Sequence, residues 1–259
     1  MCIRDSPGEV RIVADAGPLG YLSIAAHGHA DALSFTLSVG GNEILIDPGT
    51  FAYHTQKRWR EYFRGTSAHN TLRVDGADQS VPGGNFLWTQ HSQTRVLSFD
   101  TSSDKEHLSC KHDGYLRLSD PVDTQRELTY DRRLRRLYVS DSLLCKRPHR
   151  LEMYWHFSEE CGVQIQSDLA IVNNGSAMLK LRWPGGLSPR IVRGSEASPI
   201  GGWISHRYDK RVPSNTLIGA GNIAGSWHGH HYGNWILELP AERLSWGKAI
   251  GAPGRITQR

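Results

Sequence analysis

The stretch Leu33-Ser34-Phe35-Thr36-Leu37-Ser38-Val39-Gly40-Gly41-Asn42-Glu43-Ile44-Leu45-Ile46 decides the fold. Apolar and polar residues alternate from Leu33 to Val39, and a period of two puts Leu33, Phe35, Leu37 and Val39 on one buried face of a strand. Gly40-Gly41-Asn42 then supplies residues that accept positive φ, so the chain is predicted to fold back as a hairpin into Glu43-Ile44-Leu45-Ile46. The same signals recur along the sequence. Strands are predicted at residues 10–14, 21–26, 71–74, 94–99, 115–118, 125–130, 136–140, 151–157 and 163–167. A second hairpin joins 169–172 to 178–183 through Asn173-Asn174-Gly175, and strands near 203–208 and 235–239 close the series. Only residues 56–63 read as helical, with Trp59, Tyr62 and Phe63 on one face and Lys57, Arg58 and Arg60 elsewhere. Many short strands separated by turn residues predict an all-β chain, a multi-sheet antiparallel β-sandwich of supersandwich type with one short helix.

Composition narrows the function classes. With 259 residues, 38% hydrophobic and 22% charged, the chain is long enough for one large β domain or two small ones and is not of disordered composition. No apolar run approaches the ~18 residues of a spanning helix. A net charge of +4 suits an acidic substrate and is too small to mark a nucleic-acid partner. Eight Trp and nine Tyr supply flat rings that serve either core packing or stacking against sugars. The four cysteines, Cys2, Cys110, Cys145 and Cys161, contain no C-x-x-C pair, which argues against a thiolate zinc site and a thioredoxin-type motif. A bridge between Cys145 and Cys161 stays open. Residues 1–8 read as a leader of non-native origin, neither a signal peptide nor a strand. The domain is placed at 9–240 and a loose tail at 241–259. The abrupt start in a strand is read as the loss of an upstream portion.

Three motifs carry chemistry: His27-Gly28-His29-Ala30-Asp31, Ile46-Asp47-Pro48-Gly49-Thr50 and Ser67-Ala68-His69-Asn70-Thr71. Imidazole and carboxylate are ligands that zinc accepts, and His27, His29, Asp47 and His69 are all candidates. They lie too far apart in sequence for a local clip, so a shared ion would tie separate strands together. On a strand, His27 and His29 would project from one face. Asp47 before Pro48-Gly49 is equally suited to bonding its own turn backbone. Trp227-His228-Gly229-His230-His231-Tyr232 invites a second metal reading and is assigned to a polar loop.

The residues from His27 to Phe35, from Ile46 to Thr50 and from Tyr62-Phe63-Arg64-Gly65-Thr66 through Thr71 resemble the C-terminal domain of the heparinase II/III family of polysaccharide lyases. The resemblance covers about the first 90 residues in detail; beyond them only the all-β character agrees. It implies a β-sandwich that follows an (α/α) toroid of helices, with the active site between the two. It implies one structural zinc ion on His29, Asp47 and His69, and a catalytic histidine at His27. A catalytic tyrosine would come from the toroid, which this chain lacks, and Tyr53 is the candidate for a second one within the β domain. Arg60, Arg64 and Asn70 are expected at the substrate, while Arg58 reads as part of a solvated basic face. The implied chemistry is β-elimination of a uronate-containing acidic glycan, glycosaminoglycan or alginate-like. The implied setting is the bacterial periplasm, cell envelope or exterior, and the chain alone is expected to be inactive or nearly so. Two other readings remain: a non-catalytic carbohydrate-binding sandwich with a structural metal, and a zinc hydrolase with Asp31 as base.

Overall fold

The computed structural model describes residues 2–4, 9–20, 23–223, 227–228 and 235–239. Its first sheet runs in chain order through β1 (Cys2–Arg4), β2 (Val10–Ala14), β3 (Phe35–Val39) and β4 (Asn42–Leu45). Phe35, Leu37 and Val39 of β3 are buried while Thr36 and Ser38 are partly open, as alternation requires. Gly40 and Gly41 take φ of 56° and 82° with Val39 opposite Asn42, the positive-φ pair that a tight hairpin turn needs. Leu33 is buried but lies outside the strand, at φ 61°. Residues 2–4 were not expected to form a strand, yet they pair antiparallel with β2.

Helix α1 (Lys57–Arg64) follows, then a 3-10 turn at Thr66–Ala68 and β5 (Leu72–Val74). Trp59, Tyr62 and Phe63 are buried as the spacing predicts, but so are Arg60 and Arg64. A short hairpin of β6 (Val81–Gly84) and β7 (Leu87–Gln90) precedes an antiparallel meander of β8 (Thr94–Thr101), β9 (Lys105–His112), β10 (Asp123–Asp131) and β11 (Arg136–Leu144). The chain then crosses to β12 (His149–His156) and returns through β13 (Gly162–Gln166), β14 (Leu169–Asn174) and β15 (Ala177–Arg182). The remaining strands are β16 (Ser188–Arg193), β17 (Trp203–Arg207), β18 (Lys210–Pro213), β19 (Asn215–Ile223), β20 (Trp227–His228) and β21 (Trp235–Glu238).

A nine-stranded sheet has the order β13-β14-β15-β21-β11-β10-β9-β8, with β20 beside β11, and a second four-stranded sheet has the order β16-β19-β12-β5. Every strand pairing among the described residues is antiparallel. One core joins the three large sheets: Ile12 and Phe35 from the first, Leu128 and Val139 from the nine-stranded, Met153 and Leu217 from the second four-stranded. Trp155, fully buried, packs edge-on against Phe35 at 5.7 Å and Trp235 at 5.1 Å, one side chain touching all three sheets. The architecture is the multi-sheet β-sandwich that the alternation predicts.

Two predicted strands are turns. Residues 23–27 form a turn in which Ala25 takes φ 49° and packs with Trp88. Residues 114–117 also turn, because Tyr115 is drawn inward to donate its hydroxyl to the Leu72 carbonyl. The predicted tail at 241–259 and most of the 227–232 stretch lie outside the described residues; the backbone at 227–228 pairs with β11.

Candidate functional site

His69 is the pivot of the site. It caps the 3-10 turn, is fully buried, and lies 2.9 Å through Nδ1 from Asp47 Oδ2. Its other ring nitrogen, Nε2, is buried without a hydrogen-bond partner. The His29 ring stands 5.2 Å away, and one ligand atom each from His29, Asp31 and His69 falls within 4.8 Å of the others. In the tautomer whose Nδ1–H donates to Asp47, Nε2 keeps its lone pair, the arrangement in which a carboxylate orients a metal-binding imidazole. A bound cation would satisfy this orphaned buried acceptor, which otherwise costs free energy.

The electrostatics hold His29 neutral and favour a proton on His69, one that a bound cation would replace. Burial, reinforced by His69, holds the His29 pKa down at about 3, so His29 is neutral and able to ligate. Burial pushes the Asp31 carboxyl up to about 7, a desolvation penalty that an adjacent cation would reverse. Burial opposes charge on both Asp47 and His69, but their mutual attraction outweighs it, lowering Asp47 and raising His69. The close group therefore differs from the expected set in its carboxylate. Asp31 stands with the two imidazoles, while Asp47 braces His69 from behind. Asp47 also accepts the Gly49 N–H at 2.8 Å, so its turn-forming role is realised as well.

A buried polar frame fixes these loops. Asn70, expected at the substrate, is wholly buried instead: Nδ2 donates to the carbonyls of Phe35 and Ile46, both at 2.9 Å, and Oδ1 accepts the His156 N–H at 2.7 Å. Every side-chain group is engaged by backbone, so Asn70 ties β3, the residue after β4, and β12 together. Arg126 of β10, also buried, pairs bidentately with Asp141 at 2.7 and 2.9 Å and donates Nη1 to the carbonyls of Leu33 and Asn70. The nine-stranded sheet thereby holds both candidate loops.

His27 belongs to a different surface. Neither His27 nor His29 lies in a strand, so the expectation of one shared strand face does not hold. His27 is exposed, with its ring edge-on to Tyr53 at 5.5 Å and to Phe86 at 6.2 Å. Tyr53 in turn stacks on Phe86 at 5.9 Å and Tyr208 at 6.2 Å. Beneath this row lie Arg60 and Arg64, 1% and 3% exposed. The Arg60 guanidinium sits 5.2 Å from the Tyr53 ring centre and that of Arg64 4.8 Å from Trp88. Both donate to the Asn85 carbonyl, at 3.2 and 3.3 Å, and the two Nη atoms of Arg60 have no partner. Burial and Arg64 push the Arg60 pKa down to about 10, which leaves it cationic at neutral pH. Arg58 is exposed and reaches the Glu196 carbonyl. Asn85, Phe86, Trp88 and Tyr208 escaped the sequence reading. A signal for the first three was present, since Gly83-Gly84-Asn85 repeats the Gly-Gly-Asn of the first hairpin.

The sequence profile of the family described as Heparinase II/III-like, C-terminal, matches residues 2–233. The chain belongs to this family. Solved structures agree on the fold of this heparinase II/III-like C-terminal domain. The crystal structure of heparan sulfate lyase HepC from Pedobacter heparinus aligns with a TM-score of 0.70 at 17% identity, over 89% of this chain and 33% of that one. The crystal structure of Heparinase III aligns at 0.70 and 14% identity, over 92% and 35%. The Heparinase III-BT4657 gene product aligns at 0.64 and 15%, over 88% and 32%. The chain thus spans about a third of the length of these relatives. No curated protein matches it by sequence. Within the family fold, residues 27–31 connect the His27 row to the His29–Asp31–His69 group.

Proposed function

We propose that this domain supplies one wall of a lyase site that cleaves uronate-containing acidic glycans by β-elimination. The observation that carries the reading is the buried Arg60–Arg64 pair. Two neighbouring guanidiniums, with no ion pair to either among the described residues and only the field of Glu61 and Asp78 offsetting Arg64, place positive charge against the half-buried Tyr53 ring, beside the exposed His27 and Phe86. In a low-dielectric setting such charge draws an anionic chain to that surface and offsets its carboxylate. Elimination requires this, because the proton beside a uronate carboxylate becomes removable only when the developing enolate is stabilised. His27 is then placed to hydrogen-bond the carboxylate or carry a proton, since imidazole titrates near neutrality. Tyr53, in contact with His27 and over Arg60, is the second candidate for proton transfer to or from the sugar.

A structural zinc ion on His29, His69 and Asp31 would lock together the two loops that carry these residues. The zinc-hydrolase alternative loses its base on this assignment, because Asp31 is itself one of the three ligands. We infer that a helical toroid supplies the facing wall and a further tyrosine, so that this domain alone has little or no activity. The same reading sets the protein in the bacterial periplasm or cell envelope.

The test pairs turnover with binding. A uronate polymer incubated with the chain should give little unsaturated product by ultraviolet absorbance. Vigorous turnover by the chain alone would overturn the two-wall account. Binding to heparan sulfate should be salt-sensitive and weakened about tenfold or more in Arg60→Gln, in keeping with charge-assisted contacts. Salt-independent binding, or equal binding of a neutral glucan, would defeat the electrostatic argument. A purely carbohydrate-binding module is distinguished by His27→Ala in a chain that includes the toroid: loss of turnover with binding retained supports the lyase.

A further inference from the structure

At the opposite end of β5 from His69 lies a second cluster that the lyase reading does not use. His149, the first residue of β12, is 6% exposed and gripped at both ring nitrogens: Nδ1 lies 2.6 Å from Asp75 Oδ2, and Nε2 lies 3.0 Å from Asp120 Oδ2. Cys145, just past β11 and 8% exposed, brings its sulfur into the same space. One atom each of Asp120, Cys145 and His149 lies within 4.8 Å of the other two.

The surroundings are built to hold these groups. Asp120 accepts the backbone N–H groups of Lys146 and Arg147 at 3.0 and 2.7 Å, which fixes its carboxylate against the loop from Cys145 to His149. Asp75 sits in a turn with Gly76, at φ 52° and 68°, and its second oxygen accepts the Arg150 N–H at 2.9 Å. Three chain segments, the Asp75 turn, the Asp120 loop and the loop from Cys145 to His149, thus bring together a thiol, an imidazole and a carboxylate, with a further carboxylate behind the imidazole. An ion pair explains the Asp75–His149–Asp120 row. Cys145, at the edge of the hydrophobic core, adds a sulfur to that row.

We propose that Asp120, Cys145 and His149 form a second metal site, for a thiophilic divalent cation of the zinc class, with Asp75 orienting His149. The donor set of one sulfur, one nitrogen and one oxygen is of the kind zinc accepts, and the carboxylate on Nδ1 is the usual partner of a metal-bound histidine. Water completes a tetrahedral shell at the rim, where Lys146, Arg147 and Pro148 are exposed and leave a path for the ion. Binding displaces the Cys145 thiol proton and the proton on His149 Nε2, both released to solvent. The site clips the β11–β12 crossover to the turn after β5 and is independent of the metal group at His29 and His69.

Cobalt substitution of the full chain tests the assignment. Metal-free protein titrated with Co²⁺ should develop the near-ultraviolet charge-transfer absorption of a cobalt–thiolate bond. Cys145→Ser should abolish that band while leaving the far-ultraviolet circular dichroism unchanged, and His69→Ala should retain it. Asp75→Asn, a change at a positioning residue, should weaken the cobalt affinity of this site about tenfold or more. A titration with no thiolate band, or a band that survives in Cys145→Ser, overturns the proposal. Wild-type protein gives a check free of folding effects: Zn²⁺ should slow alkylation of Cys145, read by peptide mass spectrometry, relative to Cys110 and Cys161. Equal rates with and without Zn²⁺ count against the site.

Discussion

At the residue scale, the motif His69-Asn70 joins two adjacent side chains with opposite duties. His69 pairs with Asp47 and leaves Nε2 without a partner, while Asn70 spends every polar side-chain atom on backbone. Asparagine beside a histidine in a lyase-like motif reads naturally as a substrate contact. Only the fold reveals that Asn70 Nδ2 is consumed by Phe35 and Ile46 and its oxygen by His156. Truncating it strands two carbonyls and one N–H in the core, each worth roughly 1–3 kcal/mol. Asn70→Ala should therefore cost about 3–5 kcal/mol, seen as a lower urea midpoint at unchanged slope. His27→Ala, at an exposed position, should stay within about 0.5 kcal/mol of wild type. A small loss at Asn70 would return it to the substrate face. Asn70 and His27 each lie in a chemistry-bearing motif, and their stabilities upon substitution separate scaffold from surface.

At the element scale, legibility followed local pattern. The hairpin at Gly40-Gly41 and the helix at 57–64 were readable because alternation, turn residues and an apolar face all pointed the same way. The hairpin of β6 and β7 carries the same Gly-Gly-Asn turn signal, but Pro82 breaks the strand alternation that should lead into it. β19 was hidden for a related reason. A Cβ at Gly219 would come within 2.8 Å of Trp235, and one at Gly221 within 2.4 Å of the Gly186 carbonyl, so packing demands glycine inside a central strand. The segment from Asp47 to Thr50 shows the same logic at the site. Gly49 takes φ 83° and bridges in parallel to Ser205, where a Cβ would lie 2.3 Å from the Ser205 oxygen. Gly49→Ala meets both backbone strain and collision, and should destabilise by more than about 1 kcal/mol. Because Gly49 N–H also holds Asp47, the variant should lose bound metal at lower chelator concentration than wild type. Unchanged melting and unchanged metal retention would show that this segment does not set the site.

At the scale of the whole molecule, the sheets bury imidazoles whose titration ties stability to pH. His112, on β9, is 2% exposed, and burial, helped by Arg126 and Arg117, pushes its pKa down to about 3. Its Nδ1 accepts the Gly114 N–H at 3.1 Å, a bond available only to an unprotonated nitrogen. His156, fully buried, is likewise held near 3, chiefly by burial. No sequence pattern distinguishes these histidines from ligands, because their neutrality comes from three sheets closing over them. In the unfolded chain each takes a proton below its ordinary pKa of about 6.5. Between that value and about 3 the unfolded state therefore binds more protons than the folded state, and stability falls as the pH falls. At pH 5 the loss is about 2 kcal/mol for each histidine. Other groups shift with the opposite sign, so the comparison must be with a variant in which they cancel. His112→Asn keeps an acceptor near Nδ1 and has no proton to gain. Its stability difference from wild type should narrow by about 2 kcal/mol between pH 7 and pH 5, measured by urea unfolding at both. Parallel pH profiles for the two proteins would mean that His112 binds its proton as readily in the folded sandwich as in the unfolded chain, and that the core around it is wetter than its burial implies.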